Sequence, residues 1–127
     1  MIDHLELKVS DFGKSKIFYL AALAPLGYQA ILELPASLVP QGSMGLGLPP
    51  KPELWISGGK PTAPVHVALR AANRAQVDAF YQAAMSAGGR DNGPPGLRRH
   101  YHPNYYGAFV LDPDGHNIEA VCHDPPG

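Results

Sequence analysis

One internal repeat constrains this chain more than any other feature. His4 and His66 lie 62 residues apart, and at that same spacing Leu7 matches Leu69 and Lys8 matches Arg70. Phe18-Tyr19 matches Phe80-Tyr81, Ala21-Ala22 matches Ala83-Ala84, and Gly27 matches Gly89. A histidine, an aromatic pair and a helix-ending glycine in one gapless register point to two copies of one structural unit. The same register sets Ile56 against Ile118 and Ser57 against Glu119.

Each copy opens with the alternation of a half-buried strand. In the first, Leu5, Leu7 and Val9 take one face, and His4, Glu6 and Lys8 the other. In the second, Val65, Val67 and Leu69 oppose His66 and Arg70. A helix follows each strand. Ser10 or Asp11 can cap the first, which runs to about Ala24 with Phe18, Ala21, Ala22 and Ile17 inward, and Pro25 stops it. Asn73 caps the second, with Gln76 three residues on, and Val77, Phe80, Tyr81 and Ala84 keep helical spacing. Tyr28–Leu34, Gly45–Leu48 and Leu54–Ile56 are short strand candidates, and Gly58–Pro64 reads as a linker.

The closing stretch Tyr105–His123 reads as a β-hairpin. Asp112-Pro113-Asp114-Gly115 is its turn: proline pre-sets φ, and Gly115 can take the left-handed conformation. In that register Val110 faces Ile118 and Phe109 faces Glu119. His116, just past the turn, is expected to be exposed. Val110, Ile118, Ala120 and Cys122 share an apolar face. Glu119 sits mid-strand on the other, and a carboxylate there calls for a partner or a metal unless that face is solvated.

Composition excludes several classes. Net charge is −1, with no basic run beyond Arg98-Arg99-His100, so a nucleic-acid partner is not expected. The single cysteine, Cys122, rules out an intrachain disulfide and fits a reducing compartment. The N-terminal residues lack the basic and apolar regions of a signal peptide, and no run reaches membrane-spanning length. A cytoplasmic location is therefore expected. No G-x-S-x-G, P-loop or dinucleotide fingerprint is present.

The segments HLELKVSD, HVALRAANRAQVDAFYQAAMSAGG and YYGAFVLDPDGHNIEAV together resemble the vicinal oxygen chelate superfamily, which includes glyoxalase I, extradiol dioxygenases, fosfomycin-modifying transferases and bleomycin-resistance proteins. The resemblance covers the whole chain. It implies an α+β fold: one domain over residues 1–127, made of two βαβββ modules, 1–60 and 64–127. Their curved mixed sheet forms a cup with the helices packed outside. The family's metal ligands fall on His4, His66 and Glu119, and Glu119 can also serve as a catalytic base. Two imidazoles and a carboxylate suit Fe, Mn, Co, Ni or Zn in the divalent state.

Where glyoxalase I carries a fourth ligand, the repeat places Ser57. Where extradiol dioxygenases carry an acid–base tyrosine, the hairpin places Phe109. Arg98 and Arg99 are candidates to hold an anionic substrate group, and Tyr101, Tyr105 and Phe109 to wall the pocket. The expected activity is Lewis-acid catalysis on a small oxygenated substrate by a homodimer. The alternative is a metal-free protein that binds or sequesters a small molecule.

Overall fold

The structure, a computed structural model, describes residues 1–126. Strand β1 (Leu5–Val9) leads into helix α1 (Phe12–Leu23), and β2 (Gln29–Glu33), β3 (Ser43–Gly47) and β4 (Leu54–Gly58) follow. The order then recurs as β5 (His66–Arg70), α2 (Arg74–Ser86), β6 (Arg90–Leu97), β7 (Tyr106–Leu111) and β8 (Asn117–Cys122). Each copy builds a four-stranded mixed sheet, ordered β1-β4-β3-β2 and β5-β8-β7-β6. The first strand of each pairs in parallel with the last, and the other pairs are antiparallel. This is the βαβββ unit expected from the repeat.

Local signals explain the helix ends. The Asp11 carboxylate accepts from Lys14 N at 3.0 Å, filling an orphan donor of the first turn of α1. Asn73 accepts from Gln76 N at 2.9 Å, and the Gln76 side chain reaches back to Ala72 N at 2.7 Å. The matched glycines Gly27 and Gly89 do different work. Gly27 takes a left-handed φ of 89°. At Gly89 a Cβ would lie 2.4 Å from Val110 Cγ1 and 2.8 Å from Phe18 Cε1, so its absence lets α1 approach β7.

The core joins both modules in one apolar cluster. Leu7, Val9, Phe18, Val67, Val77, Phe80, Val110, Ile118 and Ala120 are all buried in it. α1 packs on α2, and the Tyr19 hydroxyl of α1 donates to the buried Asp112 carboxylate at the β7–β8 turn. Ser10 N also donates to the Asp114 carboxylate at 3.1 Å. The hairpin has the expected register, Val110 opposite Ile118 and Phe109 opposite Glu119, with Gly115 at φ 88°.

Four expectations need correction. Leu5 and Val65 are each 40% exposed, and Leu69 is only half-buried. β1 and β5 are the edge strands of their sheets and line a shared groove of about 240 Å³, which leaves their outer apolar residues partly open. Ile17 is 66% exposed, because the buried stripe of α1 runs through Ser15, Phe18, Tyr19, Ala22 and Leu23. His116 is buried, not exposed: its Nδ1 accepts from Val65 N at 3.1 Å and ties the hairpin to the linker.

The fourth correction concerns the repeat. In β1 and β4 the lateral partners are Glu6 with Trp55; in β5 and β8 they are Ala68 with Glu119. Across the next pair, Gly45 partners Trp55 where Phe109 partners Glu119. The spacing of the repeat thus grows from 62 to 64 residues after the helices, because β6, eight residues with bulges, is longer than the five-residue β2. Trp55, not Ser57, occupies the place of Glu119.

Candidate functional site

Glu119 is only 1% exposed, in the middle of β8. Its two oxygens are engaged separately. Oε1 lies 2.8 Å from His66 Nε2, and Oε2 accepts from the Tyr105 hydroxyl. His66 reaches it because β5 pairs in parallel with β8 and alternation turns both side chains to one face. Phe109 lies directly across the hairpin from Glu119, its ring centroid 6.1 Å from that of His66.

Tyr105, expected as a pocket wall, also places its hydroxyl on Glu119. Residues 105, 107 and 109 share a face, and Gly107 leaves a gap between the two rings. A Cβ on Gly107 would stand 3.3 Å from both Glu119 Oε2 and Tyr105 Cε1. The phenol therefore crosses above Gly107 to the carboxylate. The alternation Tyr-x-Gly-x-Phe before the turn was the available signal, since a glycine in mid-strand often marks a close approach. The Tyr105 ionisation is pushed above the ordinary tyrosine range, first by burial and then by the hydrogen bond and charge of Glu119. Tyr105 is thus a proton-bearing donor at neutral pH.

The loop before β7 forms the rim. Arg98 donates to Gly96 O at 2.9 Å and Pro94 O at 2.8 Å, and its guanidinium stands 5.3 Å from the centre of the Phe109 ring. Arg99 is exposed. Tyr101, 59% exposed, packs edge-on against Tyr105 with centroids 4.7 Å apart. Pro94 and Pro95 lie within β6, tolerated because β6 is an edge strand with bulges around Gly93.

His4 lies apart from this cluster. Its Nδ1 is 2.7 Å from the Asp3 carboxylate, and it lines a cavity of about 320 Å³ with Glu6, Leu34, Ser43 and Trp55. Among the described residues of one chain, no three histidine, cysteine, aspartate or glutamate side chains converge as a metal-binding group. Within the chain His66 meets Glu119, whereas His4 lies apart, just before β1. The donor chemistry of the His66–Glu119 pair fits a divalent transition ion: an imidazole nitrogen and a carboxylate oxygen already meet, in a cradle that a Cβ on Gly107 would narrow.

Among the described residues no helix is long and apolar enough to cross a membrane. No curated protein matches the sequence. Among solved structures, the chain is similar to a glyoxalase/bleomycin resistance protein from Albidiferax ferrireducens, at 27% identity and a TM-score of 0.77, covering 96% of this chain and 98% of that one. A glyoxalase/bleomycin resistance protein/dioxygenase family enzyme from Burkholderia phytofirmans shares the fold at 17% identity and a TM-score of 0.70, covering 97% and 98%. A glyoxalase I variant from Zea mays does so at 21% identity and a TM-score of 0.72, over 94% of this chain and 46% of that one. The family model for the Glyoxalase/Bleomycin resistance protein/Dioxygenase superfamily matches residues 1–120. With its two βαβββ modules and that match over nearly its whole length, the chain belongs to the Glyoxalase/Bleomycin resistance protein/Dioxygenase superfamily.

Proposed function

We propose that this chain is a divalent-metal enzyme acting on a small oxygenated substrate, at a site that two copies complete together. One observation carries the reading. Glu119 is a buried carboxylate on a sheet face, and among the described residues its side-chain partners are an imidazole and a phenol. Buried charge of that kind is costly unless it is paired or binds a metal.

His66 and Glu119 of one copy and His4 of a second would hold the ion, Fe, Mn, Co, Ni or Zn in the divalent state. When bound, it supplies Lewis-acid polarisation of two neighbouring substrate oxygens. Phe109 and Tyr101 wall the cup and exclude water. Arg98 and Arg99 on the rim hold an anionic substrate group. Tyr105 keeps its proton at neutral pH and donates it toward negative charge that develops on substrate. Glu119 would also be placed to take a proton as base. The partly open apolar residues Leu5 and Val65, on the edge strands, support association with a second copy. The lone Cys122 is free and buried, in keeping with a reducing, cytoplasmic setting.

The test is metal analysis of protein purified without a histidine tag, followed by titration with Zn(II) or Co(II). Stoichiometric uptake that Glu119→Gln weakens at least about tenfold, with folding retained, supports the reading. A chain that takes up no divalent ion overturns it.

A further inference from the structure

The loop between β6 and β7 carries Arg98, Arg99, Tyr101 and Tyr105. Little fastens it. Among the described residues, the hydrogen bonds of residues 99–104 close within the loop, as Tyr101 N to Arg98 O and Tyr105 N to His102 O, with one exception. His102 Nε2 lies 2.8 Å from Nδ1 of His123, on the segment that follows β8.

The backbone fixes the protons of this pair. Asn104 N can only donate, and it donates to His102 Nδ1 at 3.1 Å. The proton of neutral His102 is therefore on Nε2 and is given to His123, whose own proton is on Nε2. The ring planes are 27° apart, close to the alignment that an in-plane N–H···N bond needs. Both ring lone pairs are thus engaged. An added proton must take one of them, and it sets two N–H groups face to face, at Asn104 or between the rings. His102 is half-buried and His123 exposed, so solvent protons reach the pair. Both rings also meet Tyr105 edge-on, with centroids 5.5 and 5.3 Å away, and that phenol donates to Glu119.

Histidine ordinarily changes charge between about pH 5 and 8. The groups around the pair are Arg98, Arg99, His100, Tyr101 and Tyr105 on the loop, Asp124 after His123, and His66 with Glu119 behind Tyr105. Tyr105 keeps its proton over that range, and the arginines keep their charge. Among the described residues, neither imidazole of the pair forms an ion pair with a carboxylate.

We infer that His102 and His123 are positioning residues: their bond is a clasp that holds the rim loop and Tyr105 at the site while both are neutral, and a proton opens it. The clasp serves the site proposed above, but its test uses neither metal nor substrate, so the two readings fail separately.

The experiment is amide hydrogen exchange on the full chain at about pH 8 and about pH 5, corrected for the intrinsic pH dependence. It reads Tyr101 and Tyr105, with amides of β5 and β8 as the control for global unfolding. In wild type the loop amides are expected to exchange at least about tenfold faster at the lower pH, with the control amides unchanged. His123→Ala removes the acceptor and should give the fast loop at both. His102→Gln should keep the loop slow at both, because its amide can donate to a neutral His123 and, turned over, accept from a protonated one. A wild-type loop equally protected at the two pH values overturns the inference, as does His123→Ala behaving like wild type. A pH response that persists in His102→Gln assigns the proton to His100 or to His66 with Glu119, and overturns it as well.

Discussion

The Tyr105 hydroxyl donates to the Glu119 carboxylate from four residues upstream of Phe109, across the space that Gly107 leaves open. The phenol thereby reaches the carboxylate diagonally, from just before β7 across to β8, where directly opposite pairing alone would have offered it only the Phe109 ring.

This contact makes the first prediction one of pH. Burial and Glu119 raise the Tyr105 ionisation in the folded chain above its ordinary value of about 10. The stability it contributes is therefore fully present below pH 10. It is lost as pH rises toward the folded value, since the unfolded tyrosine ionises first. In a difference titration of phenolate absorbance, Tyr105→Phe should leave the signal that develops near pH 10 unchanged and remove one that develops later. Loss of signal near pH 10 would show that Tyr105 ionises as an ordinary tyrosine.

Phe80 is fully buried in the shared core, on the face of α2 that packs under its sheet. Phe80→Ala should cost about 3–5 kcal/mol in denaturant melts, from lost burial and the cavity left behind. A loss below about 1 kcal/mol would contradict that packing.

Asp112 is a buried carboxylate that accepts from Tyr19 Oη, Asp114 N and His116 N. Tyr19→Phe removes one donor and leaves the ring in place, so a cost of about 1.5–3 kcal/mol is expected for a hydrogen bond to a charged group. Urea melts measure it. An unchanged midpoint would mean that this link between α1 and the hairpin turn adds nothing to folding.

The proposed two-copy site predicts association. Sedimentation at micromolar concentration should give a two-fold homodimer, the commonest closed arrangement. A charge placed in the open groove, as Val65→Asp, should shift the population toward monomer and lower metal affinity with it. Wild type that sediments only as monomer would leave His4 without its counterpart.

Alternation and turn chemistry act over a few residues, so the sequence by itself determined the parts they govern. The strand face of His66, the caps at Asp11 and Asn73, the Asp112–Gly115 turn and the pairing of Phe109 with Glu119 were all legible. The repeat also announced two like modules, because residues matched across it have the same packing to satisfy. Stagger between distant strands is set by loop lengths and sheet packing. The shift from Ser57 to Trp55 as the repeat counterpart of Glu119 therefore appeared only in three dimensions. The burial of His116 and the openness of Leu5 and Val65 depend on what lies beside them, which alternation does not encode. His4 and His66 match in the repeat, yet within one chain His4 does not join the His66–Glu119 pair, because a repeat fixes equivalence of position and not the side on which two modules meet.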